Sequence, residues 1–170
     1  MRNLNLPVLY RATLPPTEAD FDEAAELRIA AGRITSAALA IEDLIVEIVS
    51  RTLLGEVKRH KGLVVGSILK SSWCGFAEKR KLLSLSIHEF ALLDGKKRTD
   101  IEQLLRKVSQ YRNAFAHGSL IHNVEVHELH YFEGEPRQAK LDDMYFAELE
   151  RVFQQAWFQL QDMQAALNDA

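Results

Sequence analysis

One stretch decides how the chain folds: residues 99–118, which read TDIEQLLRKVSQYRNAFAHG. Apolar residues recur along it every three or four positions, the period that places them on one face of an α-helix. Thr99 and Glu102 have the spacing of a capping box, so the helix is expected to begin at Thr99. Gly118 is expected to end it by adopting the left-handed backbone conformation. The pattern therefore predicts a core-facing helix that leads into a loop.

The last turns of this helix carry a polar cluster. Arg112 follows Val108 by four residues and falls within the apolar face, where a guanidinium is destabilising unless it is paired. Asn113 and His117 are four residues apart and form a polar strip beside it. Such a set suits phosphate chemistry: Arg112 would bind phosphoryl oxygens, His117 would transfer a proton and Asn113 would orient either group. These three residues are the candidate catalytic residues.

The same cluster also has a purely structural interpretation. Arg112 would then cap backbone carbonyls or pair with an acidic residue of the first helix, such as Glu42, Asp43 or Glu47. His117 would complement the negative end of the helix dipole. An Arg and a His at this spacing form a pattern of low specificity, and on spacing alone the structural interpretation is the more economical one.

The order of residues in the cluster resembles the motif of the HEPN family of small all-helical proteins. That motif is an Arg and a His separated by a few residues, usually with a polar residue directly after the Arg. This sequence has Arg112, Asn113, three further residues and then His117. Upstream, residues 76–83, FAEKRKLL, resemble the second-helix segment of these proteins. The likeness spans about residues 17–167.

The resemblance implies metal-independent cleavage of RNA, often by a toxin that a partner protein, an antitoxin, holds in check. It also implies a homodimer in which the two Arg/His motifs face each other across one composite cleft, with no cofactor. Acid and base catalysis needs two proton-transferring groups, and we find no second candidate within one chain, so each copy would contribute its His117.

Two other functions are compatible with the same resemblance. One is a non-catalytic dimeric regulator or adaptor, in which the Arg/His set only stabilises the dimer. The other is a nucleotide-binding protein of the same fold, although the sequence has no Gly-rich phosphate loop. The sequence alone does not separate these from a ribonuclease.

The remainder of the sequence predicts an all-α bundle of four to five helices. Residues 1–16 contain three prolines and are expected to form an extended arm before a single domain over residues 17–170. Residues 17–54 carry a continuous helical pattern that Gly55 ends. A second long helix is expected from about Trp73 or Gly75 to Leu93.

A different pattern lies between the third long helix and the last one. Residues 124–132 and 137–141 alternate in polarity and predict a small β-hairpin, after which Asp142 caps the final helix. No metal site is expected, because two of the three histidines in this region would point to opposite faces of a strand. The three are His122, His127 and His130.

Composition limits the class of protein. A chain of 170 residues with 47% apolar and 26% charged residues is typical of a globular domain with a sizeable core. The single cysteine, Cys74, excludes an internal disulfide. The first residues lack the apolar run of a signal peptide and no segment is long enough to span a bilayer, so we expect a cytoplasmic protein with no membrane contact.

Charge is distributed unevenly along the chain. Residues 51–112 contain 14 Lys/Arg and 6 Asp/Glu, a net charge of +8. Residues 1–50 and 113–170 carry net charges of −4 and −7. A polyanion would bind the basic third, but separate solvated clusters are the commoner arrangement.

Overall fold

The computed structural model describes residues 18–55, 58–72, 74–123 and 126–168, without the side chains of residues 18–24, 58, 59, 61, 122, 123 and 126. These residues form five α-helices, a π-helix and three strands. In chain order they are α1 (Glu18–Leu54), α2 (Lys58–Val64), the π-helix (Val65–Leu69), α3 (Phe76–Glu89), α4 (Gly95–His117), β1 (Ser119–Asn123), β2 (Val126–Phe132), β3 (Pro136–Lys140) and α5 (Asp143–Asn168). The predicted class, a helical bundle with a small β excursion, is confirmed. The arm predicted over residues 1–16 lies outside the described residues.

The chain divides into two compact units. The sheet unit comprises residues up to Thr35 together with Tyr111–Leu149, and it contains the three strands. The helical unit comprises Ser36–Gln110 and the residues from Glu150 onward. The division falls within α1, α4 and α5. The single domain expected over residues 17–170 remains a prediction.

Each long segment of the helical unit buries one face. The buried side chains recur every three or four residues, which is the helical period read from the sequence. They include Ala38, Ile41, Ile45 and Ile48 in α1, Ile101, Leu105 and Val108 in α4, and Val152, Ala156 and Leu160 in α5.

Two acidic residues of α1 have basic partners within the helical unit. The buried ammonium of Lys79 donates a hydrogen bond to Glu42. Lys70 Nζ lies 3.2 Å from Asp43 Oδ1. Glu42 and Asp43, two of the three acidic residues predicted as possible partners of Arg112, are therefore paired with lysines instead.

Helix α4 begins earlier than its sequence pattern predicts. It starts at Gly95, and the carboxylate of Asp94 caps it by accepting a hydrogen bond from the Lys97 amide at 2.9 Å. The Thr99 hydroxyl lies inside the helix and donates to the Gly95 carbonyl at 2.9 Å. Glu102 accepts a hydrogen bond from the Ser84 hydroxyl. The predicted capping box is therefore wrong, because Asp94, five residues before Thr99, accepts the hydrogen bond from a free amide of the first turn.

The capping of α4 by Asp94 rather than Thr99 leads to a prediction about stability. We expect Asp94→Ala to lower the free energy of unfolding by about 1 kcal/mol, because one amide of the first turn loses its acceptor. Thr99→Ala should change it by less than about 0.5 kcal/mol, since alanine is a better helix former and no cap is lost. Urea denaturation followed by circular dichroism measures both values. If Thr99→Ala lowers the free energy of unfolding more than Asp94→Ala does, the capping box at Thr99 is present after all.

Helix α3 is shorter than the predicted helix over residues 73–93. It ends at Glu89, and Ala91 takes the left-handed conformation with φ 49°. Ala91 therefore forms the helix stop, a position that is usually occupied by glycine. Residue 73 lies outside the described residues.

The three strands form one antiparallel sheet in the order β1-β2-β3. Ser119 pairs with His130, and Leu129 pairs with Ala139. The predicted hairpin is confirmed as β2 and β3, whereas β1 was not predicted.

Asp142 accepts a hydrogen bond from the Tyr145 amide at 2.9 Å, which confirms the predicted cap of α5. None of the described helices combines the length and hydropathy needed to cross a bilayer.

Candidate functional site

The junction between α4 and β1 depends on Gly118. Its amide donates to the Ala114 carbonyl at 2.8 Å, which closes the last turn of the helix. Gly118 is not among the glycines with positive φ, so the predicted left-handed stop is wrong. Instead, an added Cβ would overlap the Ala114 carbonyl oxygen and lie 2.8 Å from Leu129 Cδ1 and 3.0 Å from the His130 carbonyl oxygen. Glycine is required because the last turn of α4 and strand β2 both approach its backbone closely.

Aromatic packing supports the same end of α4. The ring of Tyr145 meets Tyr111 edge-on, with a centroid distance of 5.7 Å, and lies 6.3 Å from Phe115. Burial, with a smaller contribution from Tyr111 and Tyr131, raises the pKa of Tyr145 above its ordinary value. Its hydroxyl therefore stays protonated at physiological pH, and the residue serves as scaffold rather than as a base.

Arg112 and Asn113 are joined by a hydrogen bond. Nη1 of Arg112 donates to Oδ1 of Asn113 at 2.9 Å. The guanidinium is half-buried, as its place on the apolar face predicts. Its Nε is fully shielded from solvent and has no hydrogen-bond partner within the described residues. The asparagine thus holds the orientation of a guanidinium that is only partly satisfied.

His117 is exposed and lines an open cleft of about 500 Å³. The other lining residues come from β2 and β3. They are His130, Tyr131, Phe132, Pro136, Arg137 and Gln138. We refer to this site as the histidine cleft.

The structure does not gather all three candidate catalytic residues in the histidine cleft. Neither Arg112 nor Asn113 lines it. The reason is helical geometry, because five residues on a helix correspond to a rotation of about 140° around the axis. Within one chain, Arg112 and His117 therefore point in different directions, whereas Asn113 lies on the side of His117 but one turn earlier.

A second histidine, His130, is the residue that sequence analysis missed. Its Nε2 lies 2.7 Å from Oε2 of Glu128, two residues earlier on the same face of β2. A carboxylate on one ring nitrogen fixes the orientation of the imidazole, the arrangement found in many acid–base sites. One chain thus presents two histidines to one cleft, where only His117 was expected.

The rest of the histidine cleft combines an exposed aromatic ring with a neutralised cation. Phe132 is 74% exposed, which is unusual for so large an apolar side chain and leaves one face free for stacking. Arg137 Nη2 lies 3.1 Å from Glu135, and Arg137 Nε lies 3.7 Å from Glu133. The cleft therefore offers stacking and proton transfer but no free positive charge from Arg137.

The cysteine and the possible metal ligands were considered as further reactive groups. Burial raises the pKa of the Cys74 thiol, which makes it a poor nucleophile at neutral pH. No group of three or more His, Cys, Asp or Glu side chains that could hold a metal ion occurs in the described part of the chain. The side chain of His122, one of the three histidines weighed as ligands, lies outside that part.

Comparisons with protein-family models, with curated proteins and with solved structures found no match for this chain. The resemblance to the HEPN family therefore rests on residues 112–117 and 76–83 of the sequence alone.

Proposed function

We propose that the protein is a metal-independent ribonuclease in which His117 and His130 transfer the protons. The observation that carries this proposal is that two histidines from separate elements line one open cleft, beside an exposed aromatic ring. Cleavage of a phosphodiester by an internal nucleophile needs one base and one acid, and two histidines supply both at neutral pH.

The proposed reaction uses the 2′-hydroxyl of RNA as the nucleophile. A neutral histidine takes the proton of the 2′-hydroxyl, and the 2′ oxygen forms a bond to phosphorus. The bond from phosphorus to the 5′ oxygen then breaks, and the second histidine, in its protonated form, gives its proton to that leaving oxygen. The products are a 2′,3′-cyclic phosphate and a 5′-hydroxyl. Glu128, 2.7 Å from Nε2 of His130, would hold this imidazole in place during the reaction.

The exposed ring of Phe132 supports a single-stranded substrate. Unpaired bases stack on aromatic side chains, and such contacts position a strand with little dependence on base identity. A base stacked on Phe132 would place its adjoining phosphate near the two histidines that line the same cleft.

Arg112 and Asn113 enter the proposal through a homodimer. The HEPN resemblance implies that two copies place their motifs against each other, so that Arg112 of one copy would stabilise the pentacoordinate phosphorane near His117 of the other. The unsatisfied Nε of Arg112 and its hydrogen bond to Asn113 fit a guanidinium that is completed by assembly. An antitoxin-like regulatory partner belongs to the same proposal.

One observation favours the competing class, a dimeric regulator or adaptor without catalysis. Three carboxylates, Glu128, Glu133 and Glu135, lie on or beside the histidine cleft and would repel a phosphate backbone. In that case His130 and Arg137 would only neutralise these acids, and Arg112 would pair across a dimer interface.

The pH dependence of cleavage separates the two classes. The described charged groups at the cleft are His117, His130, Glu128 and Arg137, together with the acidic partners of Arg137. We expect kcat/KM to show a bell-shaped pH profile, and His130→Ala to lower kcat/KM about a hundredfold and remove one limb of the bell.

His127→Ala is the matched control for this measurement. His127 lies on the same strand, three residues earlier and on the opposite face, and it is not part of the histidine cleft. This variant should keep both limbs of the profile. If His130→Ala leaves the profile unchanged, the second proton-transfer group is not His130.

A further inference from the structure

The helical unit contains a second cleft, of about 400 Å³, that is lined by α3 and α4. Arg80, Lys81 and Ser84 come from α3. Thr99, Glu102, Gln103 and Arg106 come from α4. Every lining side chain is polar or charged, with three cations and one carboxylate. We refer to this site as the basic cleft.

The cations of the basic cleft are free of ion pairs within the described part of the chain. The three consecutive basic residues 79–81 do not share one environment. Lys79 is buried and binds Glu42, whereas Arg80 and Lys81 line the cleft. The carboxylate in the cleft, Glu102, is engaged by the Ser84 hydroxyl. Arg80, Lys81 and Arg106 take part in no ion pair among the described residues.

We infer that the basic cleft binds the sugar–phosphate backbone of a nucleic acid strand. The inference rests on the proposed function for the identity of that strand as RNA. Affinity for a phosphate backbone comes mainly from Lys and Arg that replace its counterions. The histidine cleft cannot supply this affinity through Arg137, which is paired with Glu133 and Glu135. The basic cleft has the unpaired cations that a ribonuclease of this kind requires.

The lining favours a nucleic acid over an acidic peptide. Peptide-binding grooves obtain most of their affinity from apolar or aromatic anchors in pockets, and no such side chain lines this cleft. Hydroxyl and amide groups of Ser84, Thr99 and Gln103 are the neutral groups that hydrogen-bond phosphate and sugar oxygens. Since none of the described residues that line this cleft is aromatic, base stacking is not expected and binding should be independent of base sequence.

Anisotropy of a labelled single-stranded RNA measures this binding directly. The protein carries His117→Ala, so that the RNA remains intact. With three cations in contact with phosphates, the logarithm of the association constant should fall against the logarithm of salt concentration with a slope of about −2. Polyuridylate and polyadenylate of equal length should share that slope. A variant with Arg80→Gln, Lys81→Gln and Arg106→Gln should bind at least about tenfold more weakly at low salt and show a slope near zero.

The control variant removes the same charge elsewhere. Arg33→Gln, Lys96→Gln and Lys140→Gln replace three exposed cations that do not line the basic cleft and take part in no ion pair among the described residues. This protein should bind RNA within about twofold of the parent and keep its salt slope. Circular dichroism checks the fold of both, and Arg106→Gln alone, at an exposed position, repeats the test if the triple variant unfolds.

Three results would overturn the inference. Equal loss of affinity in the cleft and control variants would mean that only net charge matters. Undiminished binding in the cleft variant would place the RNA elsewhere. Binding of polyglutamate by the parent, without binding of RNA, would make the occupant an acidic protein. These results are distinct from failure of the proposed function, because RNA bound through the cleft but never cut would refute catalysis and leave the cleft in place.

Discussion

Replacing Gly118 with alanine is expected to lower the free energy of unfolding by about 3 kcal/mol. The new Cβ would meet two backbone carbonyl oxygens, those of Ala114 and His130, and the side chain of Leu129. Backbone atoms cannot rotate away as a flexible side chain can, so either the end of α4 or strand β2 must shift. For a chain of this length the melting temperature should fall by roughly 10 °C. Urea denaturation and thermal melting measure the two quantities.

Two comparison variants identify the cause. Gly32 lies within α1 with nothing within 4 Å of an added Cβ, so Gly32→Ala should raise stability by about 1 kcal/mol. Gly118→Asn should be as harmful as Gly118→Ala, because every Cβ meets the same atoms. If asparagine is clearly better tolerated than alanine at position 118, the residue is a left-handed cap and the close approach of β2 is wrong.

The largest effect on activity is expected for His117→Ala. Removing a proton-transferring group from a phosphodiester-cleaving site typically lowers the rate by a hundredfold to ten-thousandfold, and we expect a loss of about that size. The exposed imidazole makes no described contact that would stabilise the fold, so the free energy of unfolding should change by less than about 0.5 kcal/mol. Arg112→Lys should also lose cleavage, because lysine keeps the charge but not the planar fork.

His88→Ala is the matched control, since His88 is likewise an exposed histidine at a helix end. It should cleave RNA at the parental rate. Light scattering should show that His117→Ala retains the parental oligomeric state, which we propose to be a dimer. Full activity in His117→Ala would remove this residue from the site. Dissociation of the dimer by Arg112→Ala, in a protein without ribonuclease activity, would favour the adaptor.

The helices were predictable because their information is local. The period of apolar residues in α1, α4 and α5 is set by neighbours three and four positions away, and the structure buries those faces. Helix ends were harder to place, since several polar residues compete for the same free amides. At α4 both Asp94 and Thr99 were able to serve as caps, and the structure uses Asp94.

Strand β1 and the role of Gly118 depend on contacts distant in sequence. Residues 119–123 have no strong strand pattern, and they become a strand by pairing with β2. The close approach at Gly118 follows from that pairing and has no signature in the local sequence. A glycine after a helix is usually a left-handed stop, and the φ of Gly118, together with the position of Leu129 and His130, shows otherwise.

Only part of the candidate site could be predicted from the sequence, for the same reason. His117 and the Arg112–Asn113 pair were found from their spacing on one helix, whereas His130 is brought to the cleft by the strand register that pairs it with Ser119. A prediction that residues 119–123 pair in antiparallel fashion with residues 126–130 would have placed His130 near the end of α4. In an antiparallel pair, the start of one strand lies beside the end of the other. Residues just before β1, including His117, therefore lie close to His130 of β2.

The chemical nature of the RNA ends tests the central claim most directly. Purified protein, alone and freed from any bound partner, is incubated with single-stranded RNA in EDTA, and the fragments are analysed by mass spectrometry. We expect cleavage to persist in EDTA and to leave 2′,3′-cyclic phosphate and 5′-hydroxyl ends, the products of proton transfer by two histidines at an attacking 2′-hydroxyl. Intact RNA, or fragments with 5′-phosphate and 3′-hydroxyl ends, would contradict the account.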